Sequence, residues 1–259
     1  MKNFRQYGEE PFSVAVIHGG PGAPGDMAPV ARELSLTCGV LEPLQTVATL
    51  EGQVLELKTV LEGEGTLPVT LIGHSWGAML GFILTARHPS LVKKLVLVGS
   101  GVFEGEYAAG ITPTRLSRLS EEDRVETLSI VERLGDPAAG NKDALIGRFG
   151  ELMSRADSYD PLPHQSEVLE TQYDINSRVW PQAEELRSSG ELLELGRKIT
   201  CPVVVIHGDY DPHPPEGVKN PLSRVVKDFR FILLEKCGHY PWYERQARDR
   251  FFDILKSEI

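Results

Sequence analysis

"LIGHSWGAMLG", residues 71–81, sets a G-x-S-x-G pentapeptide directly behind an apolar run and directly ahead of a helical pattern. A serine in that context occupies a sharp strand-to-helix turn that lifts its hydroxyl off the edge of a sheet toward solvent. Ser75 is therefore the expected nucleophile. Gly73 and Gly77 flank it because side chains there would collide where strand and helix cross, and Gly81 keeps the same helical face clear one turn later. Such a pentapeptide also occurs by chance; the strand before it and the helix after it give it weight.

Outward from this turn, short β-branched runs bounded by glycine or proline recur at 13–19, 68–74, 94–100, 202–208 and 230–238. Runs of this kind read as buried parallel strands. A further strand is expected at 38–43, and residues 2–7 supply a short edge strand. Parallel strands need helical crossovers. "TLEGQVLELKTVLEGEG" (49–65) provides one with Val54, Leu57 and Leu61 on one face, and the helix after Ser75 provides another, stopped by Pro89. The C-terminal "PWYERQARDRFFDILKSEI" has Pro241 at its expected first turn and a stripe of Ala247, Phe251, Leu255 and Ile259. The predicted fold is α/β, a mostly parallel doubly wound sheet.

Between Gly101 and about Lys198 the strand pattern stops. "LSEEDRVETLSIVERLGDP" carries Ser120 as an N-cap with Asp123 three residues on, and Val125, Leu128 and Val131 are expected to face inward. Two more helices are expected, around 142–155 and 180–190. An insertion of this length is either structural or a lid, and the lid is preferred because such insertions sit near the carboxyl edge of an α/β sheet, where ligands bind. The expected division is a core formed by 1–100 and 199–259 and a helical lid formed by 101–198.

A serine hydroxyl is a weak nucleophile without a general base and a carboxylate to orient that base. The elbow geometry calls for the order serine, acid, histidine along the chain. "VVVIHGDYDPHPP" puts Asp209 and Asp211 just past a strand end, and Asp211, being farther along, is better placed to reach over the strand ends. Seven histidines compete for the base. His239 alone combines a late position with a short glycine loop after a strand; His213, beside the acidic pair, is the main competitor.

Composition narrows the function classes. The 259 residues are 41% hydrophobic and 25% charged with a formal net charge of −10, values ordinary for one globular domain and adverse to nucleic acid or an anionic membrane as partner. Cys38, Cys201 and Cys237 are widely spaced and odd in number, suggesting neither a disulfide framework nor a metal site. The N-terminal stretch lacks the apolar core of a secretory signal and no run is long enough to span a bilayer, so a cytoplasmic protein is expected. The sequence leaves the oligomeric state open.

"HGGPG" (18–22), "GHSWG" (73–77), "HGDYDP" (207–212) and "CGHYPWYE" (237–244) resemble the α/β-hydrolase fold superfamily, and the first motif resembles its proline iminopeptidase branch. The likeness spans nearly the whole chain and leaves 101–198 unmatched. It implies an oxyanion hole formed by the backbone N–H groups of Gly20 and Trp76, with Gly19 and Gly22 letting the loop approach closely. No G-K-[ST] follows the early glycines, which sets aside a phosphate loop. Met79 and Asp174 are candidate pocket residues, Met79 having core packing as its plainer role. A substrate amine would need carboxylates, for which Glu167, Glu170 and Asp174 are available.

The expected function is a cofactor-independent, metal-free serine hydrolase cleaving an ester or amide of a small molecule through an acyl-enzyme. Alternatives are a carbon–carbon bond hydrolase with the same three side chains and a ligand-binding protein that lost turnover. Halide displacement on this fold uses an aspartate where this chain has Ser75.

Overall fold

The computed structural model describes residues 2–259. In chain order its elements are β1 (Phe4–Tyr7), β2 (Phe12–Ile17), α1 (Ala28–Leu34), β3 (Gly39–Pro43), α2 (Leu50–Glu64), β4 (Val69–His74), α3 (Trp76–Arg87) and β5 (Val92–Val98). Then come α4 (Ile111–Arg118), α5 (Glu121–Gly135), α6 (Lys142–Asp157), α7 (Tyr173–Ser188) and the short α8 (Glu191–Glu194). The chain returns to the sheet with β6 (Val203–Gly208), α9 (Glu216–Val225), β7 (Phe229–Leu234) and α10 (Arg248–Ser257).

The seven strands form one sheet in the order β1-β3-β2-β4-β5-β6-β7. Only the β1–β3 pair is antiparallel; the other five pairs are parallel. The strands alternate strictly between two apolar layers. Ala15, Ile17, Leu71, Leu95, Leu97, Val203 and Val205 face α2, α3 and α9, whereas Val14, Val16, Ile72, Val96, Val98, Val204 and Ile206 face α1 and α10. Period-two side chains that are apolar on both faces are what a parallel sheet covered on both sides requires. The architecture is thus the expected doubly wound α/β sheet.

The crossover at 49–65 holds as expected: Thr49 caps α2 by accepting from Gly52 N–H, and Val54, Leu57 and Leu61 are buried. The C-terminal helix differs in its start. Pro241 opens a separate 3-10 turn, Pro241–Tyr243, and α10 begins only at Arg248, because the buried Glu244 carboxylate and its backbone partners hold the chain out of helix between them. Phe251 and Leu255 are buried and Ala247 packs beside them, as the stripe required. Two short helices, α1 and α9, lacked a clear sequence signal; α9 even contains Pro221.

The interval between β5 and β6 holds five helices and its own apolar cluster, Leu119, Ile130, Leu145, Leu152, Met153 and Ala156. Ser120 caps α5 through Asp123 N–H, as its spacing indicated. The inward face is not the expected one: Val125, Leu128 and Val131 are 58%, 54% and 52% exposed, while Thr127 and Ile130 are buried. The reason is packing: Ile130 enters the apolar cluster with Leu145, Leu152, Met153 and Ala156 of α6. Asp123 and Glu126, away from the valine–leucine stripe, pair with Arg155 and Arg148 of α6 at the margin of that cluster. Among the described residues no helix is long and apolar enough to cross a membrane.

Candidate active site

Ser75 joins β4 to α3 with φ +52° and ψ −112°, a left-handed conformation rare for a residue with a side chain. The turn is possible because its neighbours lack side chains. A Cβ on Gly73 would run into the Gly77 backbone, and one on Gly77 into the carbonyl groups of Ile17 and His18. Ser75 Oγ makes no hydrogen bond among the described residues and faces a cavity of about 1240 Å³. His239, His213, Trp76, Met79 and Gly20 line the same cavity.

Asp211 lies just past the end of β6 and His239 just past β7, at the same edge of the sheet as Ser75. His239 Nδ1 donates to Asp211 Oδ2 at 2.7 Å. Asp211 Oδ1 accepts two further bonds, from His213 N–H at 2.9 Å and His213 Nδ1 at 2.8 Å. Burial would raise the Asp211 pKa, but His239, His213 and His207 around it outweigh burial and hold the carboxyl well below its usual range. For His239 burial acts to lower the pKa, and the Asp211 carboxylate overrides it, so the imidazole is more basic than usual. For His213 burial wins, and its pKa falls to about 4. With Nδ1 committed to Asp211, each ring leaves Nε2 free to act as a base or an acceptor.

The backbone of His239 is anchored from both sides. Its N–H donates to Asp157 O at 2.8 Å, and its carbonyl accepts from His74 Nε2 at 3.1 Å. Arg115 grips the buried Asp157 carboxylate through Nε and Nη2 at 2.8 and 2.6 Å. Glu244, also buried, accepts from Gly238, Tyr159 and Asp160 N–H groups, so the histidine loop and the chain after α6 share one carboxylate. Sequence reasoning missed Asp157 and Glu244. Asp157 stands in "MSRADSYD" and Glu244 in "PWYERQ", polar contexts that mark neither as buried, so only their partners identify them.

Gly20 has φ +42°, and the early loop closes on itself through Asp26, whose carboxylate accepts from Gly19 N–H at 3.0 Å and lies 3.3 Å from His74 Nδ1. The N–H groups of Gly20 and Trp76 have no acceptor among the described residues. The loop is also strapped from outside. Gln172 N–H donates to Gly22 O at 2.8 Å, Leu169 N–H to Pro24 O at 2.9 Å, and Asn176 Nδ2 to Pro21 O at 3.1 Å. Gly22, at φ +85°, sits hard against the Gln172 carbonyl, leaving no room for a side chain.

Of the remaining sequence candidates, Met79 lines the cavity and packs in the main apolar cluster as well. Asp174 does not line it: the carboxylate points outward on the first turn of α7 and pairs with Arg178 one turn on, both about two-thirds exposed. Glu167 and Glu170 do line it, but Glu167 is paired with Arg32. Asp209 accepts from Cys237 N–H and braces the loop after β7 rather than facing His239. Asp211, His213 and His239 have ligand-type atoms within 4.8 Å of one another. Both imidazole Nδ1 atoms already serve the carboxylate, so a cation there would have to displace those bonds.

The comparisons with known proteins agree with this frame. Residues 16–254 match the model of the Alpha/beta hydrolase family. A proline iminopeptidase of Heyndrickxia coagulans is 26% identical over 253 residues, 89% of this chain and 85% of that protein. A pimeloyl-[acyl-carrier protein] methyl ester esterase of Neisseria meningitidis serogroup A is 26% identical over 184 residues, 68% of this chain and 52% of that protein. Among solved structures, a meta-cleavage product hydrolase from Pseudomonas fluorescens IP01 superimposes with a TM-score of 0.66 at 14% identity, covering 98% of this chain and 92% of that one. With a family match over most of its length and the sheet, elbow turn and helical layers in place, the chain belongs to the alpha/beta hydrolase family.

Proposed function

We propose that this protein is a serine hydrolase that cleaves an ester of a small molecule through an acyl-enzyme. The observation that carries the reading is the left-handed Ser75 on the wall of a cavity shared with His239, whose Nδ1 is held by Asp211. Ser75 Oγ attacks the carbonyl carbon while His239 Nε2 takes the hydroxyl proton. Asp211 keeps the ring in the Nδ1–H tautomer and stabilises the imidazolium that forms. The carbonyl oxygen, now an oxyanion, is received by the Gly20 and Trp76 N–H groups, which have no other acceptor to give up. His239 then protonates the leaving group, activates a water, and the acyl-enzyme is hydrolysed.

The interval 101–198 acts as a lid in this reading, since residues from α4, α6 and α7 supply much of the cavity wall opposite Ser75. Its charges weigh toward an ester over a peptide with a free amine, since Asp174, Glu167 and Glu151 are ion-paired and Asp143 and Glu170 are the cavity-lining lid carboxylates without a cation partner among the described residues. Asp174 is turned away, and Glu167 is neutralised by Arg32, which leaves Glu170 as the remaining lid carboxylate of the three read from the sequence. An amine-recognising site needs carboxylates that are not already paired.

The test is hydrolysis of short-chain p-nitrophenyl esters and of proline p-nitroanilide by the native protein and by Ser75→Ala. Turnover of the esters, with kcat/KM falling by roughly 10⁴-fold or more in the variant, is the expected result. Preference for the anilide would move the assignment to an iminopeptidase. Equal rates in the two proteins would remove Ser75 from the chemistry.

A further inference from the structure

Asp211 carries two imidazoles, and the second has no part in the reaction sequence above. We infer that His213 is a positioning residue for the proposed serine hydrolase: it holds the Asp211 carboxylate in place and divides its charge, and so sets the basicity of His239. The inference rests on the hydrolase reading for its consequence and on geometry alone for the contact.

The geometry is specific. His213 binds the same oxygen, Oδ1, through both its backbone N–H and its ring Nδ1, leaving Oδ2 to His239. The two rings are stacked, with centroids 4.9 Å apart and planes inclined by 29°. His213 itself is fixed from behind, since its carbonyl accepts from His207 Nε2 at 2.8 Å. Two prolines follow it and one precedes it, which restricts the backbone on both sides. A carboxylate so held can rotate about neither χ angle without breaking a bond.

The charge consequence follows from counting donors. Each N–H donated to a carboxylate spreads its negative charge and weakens its pull on any other partner. Asp211 alone with His239 would attract the imidazolium proton more strongly. His213 therefore tempers the base, keeping its proton removable at neutral pH. The other groups acting on His239 are the Asp157 carboxylate, which raises its pKa, and the Arg115 guanidinium, which lowers it. His74 and Tyr240 touch the ring edge-on or tilted. Arg115 and Asp157 form a closed pair, and His207 Nε2, 3.8 Å from Asp211 Oδ2, donates to the His213 carbonyl instead, so His213 is the remaining hydrogen-bonded partner that tunes Asp211.

Two variants separate this role from simple packing. His213→Leu keeps volume and loses the donor; His213→Asn restores an N–H at about the position of Nδ1. The expected result for Leu is a kcat reduced roughly ten- to a hundredfold, with the acid limb of the kcat/KM pH profile displaced upward by about half a unit or more. Asn should recover most of the rate and return the limb. An unmoved limb in Leu, or Leu and Asn behaving alike, overturns the inference. Proton NMR of the native protein tests the contact without turnover. Two low-field imidazole Nδ1–H resonances are expected, both lost in Asp211→Asn; a single one would mean that His213 does not share the carboxylate. A protein with both resonances but no Ser75-dependent hydrolysis would sink the function while leaving the contact standing.

Discussion

The sheet and the interval between β5 and β6 are built on different bonds. In the sheet, alternate side chains enter two apolar layers and nearly every residue of the five inner strands is buried, so the hydrophobic pattern and the structure carry the same information. In the interval, a cluster of six buried apolar residues is ringed by ion pairs: Asp123–Arg155, Glu126–Arg148 and Arg115–Asp157. There Ile130 alone of the apolar residues of α5's middle turns enters the cluster, and the stripe of Val125, Leu128 and Val131 ends up in water. The difference teaches that a three-residue spacing of valine and leucine identifies a face but not its direction.

The comparison can be broken most severely at Arg115. Its pair with Asp157 is the buried member of the set, and Asp157 also receives the His239 N–H. Arg115→Leu should cost about 3–5 kcal/mol, because an unpartnered carboxylate remains in the interior, and should lower kcat as the histidine loop loosens. Urea unfolding and ester hydrolysis on the same preparation check both. The exposed Arg148 pairs are the control: Arg148→Leu should cost no more than about 1 kcal/mol.

A smaller effect sharpens the contrast. Leu57 of α2 is fully buried against the sheet, whereas Leu128 of α5 is 54% exposed. Leu57→Ala should destabilise by about 2–5 kcal/mol, and Leu128→Ala by no more than about 0.5 kcal/mol. Equal losses would mean that the outer face of α5 is covered in solution.

The gentlest probe is pH. His239 must be neutral to accept the Ser75 proton, and Asp211 raises its pKa above the ordinary 6.5. The proposed hydrolysis should therefore rise with pH through a midpoint above 6.5, and His213, near 4, should add no inflection in the neutral range. A midpoint below 6.5 would mean that burial, not Asp211, dominates the base.

Much of the candidate site was legible because its parts are punctuated locally. Ser75 sits between two glycines at a strand–helix junction, and Asp211 and His239 follow strand ends, so each position could be named before any distance was known. Asp174 was not separable from Glu167 and Glu170 in the same way. All three are acidic residues in a polar stretch, and only the orientation of α7 sends Asp174 outward to Arg178. The glycines at 19–22 were readable as a loop of close approach. That the segment 169–176 fastens onto its outer side was not, because those bonds are between backbone groups, which every residue possesses.

By itself, then, the amino-acid sequence determined the parallel sheet, its crossovers, the turn at Ser75 and the placement of Asp211 and His239 after strand ends, since alternation, helical spacing and glycine turns are local properties. Only the tertiary structure decided which histidines share Asp211, which face of α5 is buried and which carboxylates reach the cavity. Several of those outcomes depend on partners distant in the chain, 28 residues for His239 and Asp211 and 42 for Arg115 and Asp157, and a buried charge is stable only where its partner is brought to it.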